Sequence, residues 1–238
     1  MMSQRWFRHF RILFGLYISF LFIAILMDRA TAEVVGPVVD LAAIAGMFAA
    51  FIWASGALRA SAAIVIAASM AVILSLNPSY LRVVPGYITW FLVALSFVPK
   101  GEGTFVSKDS DWEMPSDVES AAVVVLGATV SFSGLTKLMS PVWRSGDAIG
   151  LMMSQSRFQM DLLGAIGPEA RSLLTWTTVA LELVGPLLLI FRRTRMVGWA
   201  ALFSAFVGML FLMKIYVVIA GMLLMLGFIF PACRQKAS

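Results

Sequence analysis

The stretch VESAAVVVLGATVSFSGLTKLMSPVWRSG, residues 118–146, decides the fold. From Val118 to Leu138 it is apolar or small nearly throughout, with Lys137 at the end. A run of this length suits a helix crossing a bilayer, which takes about 20 residues. Ser140-Pro141 then breaks it. Serine is a good N-cap and proline a good first helical residue, so a new, shorter helix should follow. Lys137 is left in the last turn of the long helix. An ammonium there must reach water, pair with an acid or do chemistry.

Similar runs recur on both sides of this one. The 238 residues are 61% hydrophobic and 13% charged, with a mean hydropathy of +0.91. Soluble domains carry about 25% charged residues, so the composition is that of an integral membrane protein. Apolar runs bounded by charge, proline or glycine predict about eight helices, over 11–27, 37–57, 61–76, 83–98, 118–138, 171–191, 196–212 and 215–231. The expected fold is an all-α polytopic transmembrane bundle, with residues 1–238 forming a single transmembrane domain. One long bent helix over 196–231 is the competing reading, since only Met213-Lys214 divides the last two runs. Two polar connections interrupt the pattern: an acidic loop over 99–117, and an interfacial segment over 140–170. The second mixes charges with Met152, Met153, Phe158 and Met160, which predicts short amphipathic helices near 141–166 lying at the membrane surface.

The formal charge of +5 invites a nucleic-acid reading, but the basic residues are scattered between apolar runs. They read as topology signals and contacts to lipid headgroups, with no nucleic-acid partner. With the N-terminus in the cytoplasm and eight crossings, eleven of the 18 Lys and Arg residues fall inside, including every dense cluster. Both termini are then cytoplasmic, and Lys137 with the segment after it lies outside. Ala30-Thr31-Ala32 resembles a signal-cleavage site, yet the run from Ile12 to Met27 is long for a signal core and reads as a retained first span. Cys233, the one cysteine, cannot form an internal disulfide, and His9, the one histidine, cannot build a multi-histidine metal site.

Three ionisable residues fall within or beside apolar spans: Asp40, Lys137 and Glu182. Such groups should face the bundle interior and find partners. Pro186 cannot donate to the carbonyl of Glu182 four residues back, so a kink there leaves a free acceptor beside a carboxyl group. That makes either a polar pocket or an ordinary kink whose glutamate a lysine or threonine satisfies. Gly127, Ser131 and Gly134 would let a neighbouring helix approach Lys137 closely. Dry surroundings favour a neutral amine that can act as a base; the alternative is a lysine that simply snorkels to the headgroups. Trp143 either lines the approach to that amine or anchors the chain at the interface. Asp40, three residues after Pro37, is a candidate binding residue, a first-turn helix group or a salt-bridge partner.

No phosphate-binding loop, dinucleotide fingerprint, HExxH or GxSxG motif is present. The run Gly134-Leu135-Thr136-Lys137-Leu138, with Trp143-Arg144-Ser145-Gly146-Asp147-Ala148, resembles the signature of the vitamin K-dependent γ-carboxylase-like family, also called HTTM (horizontally transferred transmembrane) domains. Leu174-Thr175-Trp176 with Ala180-Leu181-Glu182-Leu183-Val184-Gly185-Pro186 resembles it too, as does Arg11-Ile12-Leu13-Phe14-Gly15-Leu16 more weakly. The resemblance implies that Lys137 is the base that activates a hydroquinone, on the lumenal or extracytoplasmic face. It implies a quinone or a secreted peptide as the molecule handled. The candidate catalytic residues are then Lys137 and Glu182, and the candidate substrate-binding residues are Trp143 and Asp40. It also implies a bacterial inner-membrane location. The carboxylase's histidine chemistry has no counterpart here beyond His9. The alternative function is a non-catalytic accessory subunit of a larger membrane complex.

Overall fold

The computed structural model describes residues 3–29, 36–76, 87–98, 112, 114–153, 166–212 and 216–234. Most of the acidic loop 99–117, residues 154–165 of the interfacial segment, Ala30-Thr31-Ala32 and Met213-Lys214 lie outside these. Among the described residues there are helices and turns and no strand. The helices are α1 (Gln4–Arg29), α2 (Pro37–Ser55), α3 (Arg59–Leu76), α4 (Tyr87–Ser96), α5 (Ser116–Met139), α6 (Pro141–Arg144), α7 (Ala148–Met153), α8 (Pro168–Ile190), α9 (Arg195–Leu212) and α10 (Tyr216–Arg234). Five of them, α1, α2, α3, α5 and α8, are long and apolar enough to cross a membrane, which makes the chain an integral membrane protein. α6 and α7 are short helices within the segment that follows the lysine.

The expected spans and the observed helices coincide closely. The main difference is α1, which begins at Gln4, before the apolar run. Arg5, Arg8 and His9 bound the apolar run but do not stop a helix, because long basic side chains have good or neutral helix propensity.

The chain forms two compact units, Met1–Val125 with Gly227–Ala232, and Leu126–Leu226 with Cys233–Ser238. In the first, α1 packs on α2, α2 on α3 and α3 on α4. α1 buries Phe7, Phe10, Phe14, Ile18, Leu21, Phe22 and Ile25, a stripe at three- and four-residue spacing. α2 faces inward with small residues, Ala43, Gly46, Ala49, Ala50 and Ala54, and turns Leu41, Ile44, Phe48 and Phe51 outward. That inversion of size is what a lipid solvent selects, since large apolar side chains lose nothing by facing hydrocarbon while small ones let backbones close up. A Cβ on Gly15 would lie 2.6 Å from the Cβ of Ala54, which shows how near α1 and α2 approach. Trp53 is the one large inward residue of α2, edge-on to Phe10 and Phe14 with centroids 6.4 and 6.0 Å away. Phe91 of α4 and Phe228 of α10 complete this aromatic core at 5.3 Å from each other.

Two arginines assigned above to headgroups and topology are buried in this unit instead. Arg11 is fully buried and donates to the carbonyl of Ser55, the last residue of α2, at 3.4 Å. Its guanidinium occupies the space a side chain on Gly56 would need, and Gly56 sits at φ 88, so glycine is required there twice over. Arg59 is likewise buried, donates to the carbonyl of Val98 just past α4, and stands 5.5 Å over the ring of Phe7. Both guanidiniums thus meet carbonyls at helix C-termini, where the backbone leaves acceptors free and the dipole favours a cation.

Candidate functional site

The second unit contains α8, which begins at Pro168 after an extended Gly167 and runs to Ile190. Its buried residues, Thr175, Val179, Glu182, Gly185, Pro186 and Leu189, follow a three- and four-residue spacing and so lie on one face. Glu182 therefore points into the unit. Pro186 is within the helix, where it cannot donate to the Glu182 carbonyl. Gly198 of α9 comes so close to α8 that an added Cβ would lie 2.7 Å from the Gly185 carbonyl oxygen.

α5 meets the Glu182 face through its two glycines. A Cβ on Gly127 would lie 3.7 Å from Pro186, and one on Gly134 would lie 3.1 Å from both Glu182 Cβ and the Leu183 side chain. Because Gly134 has no side chain, Glu182 reaches the surface of α5 beside Lys137. The lysine Nζ forms an ion pair with Glu182 Oε1 and donates a second hydrogen bond to Ser133 Oγ at 3.2 Å. The pair is mostly enclosed, with side chains 20% and 8% exposed for Lys137 and Glu182. The other carboxylate oxygen, Oε2, is buried and makes no hydrogen bond among the described residues. Lys137 is thus turned inward to an acid rather than extended to the membrane surface.

Trp143 closes one side, its ring centroid 5.1 Å from Nζ. It is carried by α6, which starts where the sequence places it: Ser140 is extended and Pro141 is the first helical residue. Gly146 follows in the left-handed region at φ 83, and the side chain of Ser172 occupies the space a Cβ there would take. The Ile149 amide donates to Thr175 Oγ1 at 3.3 Å, and that hydroxyl donates to the Arg171 carbonyl at 2.9 Å. These contacts fold the segment after α5 back onto the first turns of α8, and this fixes where Trp143 stands.

Of the candidate residues, the structure brings Lys137, Glu182 and Trp143 together. Asp40 belongs to the other unit, in the first turn of α2, where a carboxylate complements the helix N-terminus. Ser133, Gly146 and Thr175 were not anticipated as parts of the site. Ser133 carried a readable signal, since a residue four before Lys137 shares its helix face. Gly146 and Thr175 act through contacts between segments, which spacing does not reveal. His9, in the first unit, is hydrogen-bonded through Nδ1 to the Arg5 carbonyl at 2.6 Å. Among the described residues no group of three or more His, Cys, Asp or Glu side chains could hold a metal.

Fold and site define the class: an all-α membrane protein with a lysine–glutamate pair enclosed between two of its spanning helices. No family model, no curated protein and no solved structure matches the chain.

Proposed function

We propose that the protein is a membrane enzyme of the γ-carboxylase-like (HTTM) kind, with Lys137 as a base acting on a quinone or an extracytoplasmic peptide. Glu182 holds and charge-balances the lysine, and Trp143 lines the approach to it. The observation that carries this reading is the enclosed ion pair whose second carboxylate oxygen, Oε2, is buried without a hydrogen bond among the described residues. A buried acceptor left open costs about 1–3 kcal/mol, so a ligand that supplies an O–H or N–H there gains affinity. Proton transfer from ammonium to carboxylate within the pair would leave a neutral amine next to that donor, able to take its proton. The indole face beside Nζ suits a flat ring. The family resemblance favours a bacterial inner membrane, and the charge distribution of the sequence favours cytoplasmic termini with the site outside.

A second reading, a non-catalytic accessory subunit paired with another membrane protein, is favoured by one observation. His9 is the only histidine in the chain, it belongs to the other unit, and its Nδ1 is hydrogen-bonded to the Arg5 carbonyl. Mild detergent purification of the wild type and of Lys137→Met separates the two. The enzyme reading expects a quinone or peptide to co-purify with the wild type and to fall about tenfold in the variant, a loss of about 1.4 kcal/mol in binding. A stoichiometric membrane-protein partner retained equally by both proteins, with neither small ligand present, would establish the accessory role.

A further inference from the structure

A base has to be held in place through two charge states, and the ion pair holds Lys137 most strongly in only one of them. Once the proton has moved, the charge-assisted contact gives way to a weaker neutral O–H···N hydrogen bond between carboxyl and amine. A lysine side chain has four flexible methylenes, so the amine is then less tightly fixed. A second contact that serves both charge states would hold it in place.

Ser133 is such a contact. It lies one turn before Lys137 on the same face of α5, and its Oγ accepts a hydrogen bond from Nζ at 3.2 Å. A hydroxyl has one donor and two acceptor lone pairs. It accepts from the ammonium, and on rotation it donates to the lone pair of the neutral amine, so the contact persists when the proton leaves. The backward course of the lysine, toward the N-terminal end of its own helix, follows the tilt of the Cα–Cβ bond and places the amine over Ser133 and not beyond Met139. Gly134, next to Ser133, is where Glu182 comes close to α5, so hydroxyl, amine and carboxylate converge. Trp143 restrains the amine from another side, but its ring face attracts only the cation.

We propose that Ser133 is a positioning residue, holding the Lys137 amine within reach of Glu182 in both protonation states. This rests on the reading of Lys137 as a base. The test is amine labelling of the whole detergent-solubilised protein with acetic anhydride across pH 7 to 10, quantified at each lysine by mass spectrometry. Lys100, Lys108 and Lys236 serve as internal references. Ser133→Ala removes the hydroxyl with little change of volume, and Ser133→Thr restores it. Expected is a rise in Lys137 labelling on the order of threefold in the alanine variant, widening toward high pH, with the threonine variant near the wild type. Equal labelling in all three proteins, or a rise that threonine does not reverse, overturns the proposal. Glu182→Gln is the control for the underlying reading: it should raise Lys137 labelling more than Ser133→Ala does at neutral pH. No change with Glu182→Gln would sink the lysine–glutamate pair itself, an outcome distinct from failure of Ser133 alone.

Discussion

The two units bury charge in opposite ways. In the first, Arg11 and Arg59 are set against the ends of helices, each donating to a carbonyl that the helix leaves open, within a core of aromatic rings. In the second, Lys137 meets an acid across a glycine-lined contact between α5 and α8, and one carboxylate oxygen makes no hydrogen bond among the described residues. An arginine keeps its proton at any physiological pH, so the first arrangement secures helix ends. A lysine facing a glutamate is a pair between which a proton can pass. Guanidinium against carbonyl ties a side chain to a helix end; amine against carboxylate ties two helices through opposite charges. The same low-dielectric surroundings serve both, and the residue types decide which results.

Substitutions at Trp53, at the Lys137–Glu182 pair and at Trp143 test this contrast by their effects on unfolding in mixed micelles. Trp53→Ala should be the most damaging, at about 3–5 kcal/mol, because a fully buried indole packed against Phe10 and Phe14 leaves a cavity that neighbouring rings cannot fill. A loss below about 1 kcal/mol would mean that the aromatic core is not what stabilises the first unit. Next comes the charge pair. Glu182→Gln should cost about 2 kcal/mol, less than for a fully buried pair because Lys137 keeps some exposure. Combining Lys137→Met with Glu182→Leu should recover most of that loss, since two apolar side chains remove both desolvation penalties. If the double variant is as unstable as the single one, the pair is a structural clamp and the proposal that Lys137 acts as a base loses support. The smallest effect is expected at Trp143. Leucine there removes the ring over the amine at a cost of about 0.5–1 kcal/mol, while phenylalanine, which keeps a ring face, should lie between leucine and the wild type.

The helices themselves were legible because each is a long apolar run between turn or charge signals. The runs over 37–57, 118–138 and 171–191 became α2, α5 and α8 with ends displaced by at most three residues. The inward face of each helix was far less legible. In a helix that is apolar all round the usual hydrophobic periodicity is missing, and the lipid solvent takes the large residues as readily as the core does. Hence nothing in the run from Pro37 to Ser55 announced that Trp53 faces inward and Phe48 outward. The arginines were misplaced for a related reason. A basic residue at the edge of an apolar run looks the same whether it reaches a phosphate or turns back to a helix end.

Composition and the order of apolar runs alone determined that this chain is an all-α membrane protein, and which few ionisable side chains would be expensive to leave unpartnered. Those properties are local, fixed by transfer energies of individual segments. That Lys137 finds Glu182, 45 positions away, was decided only by tertiary structure. It depends on two backbones approaching at Gly134, and on Gly146 and Thr175 folding α6 back so that Trp143 covers the amine. Such contacts arise from the shapes of surfaces brought together, and shape complementarity between distant segments has no signature in either segment taken singly.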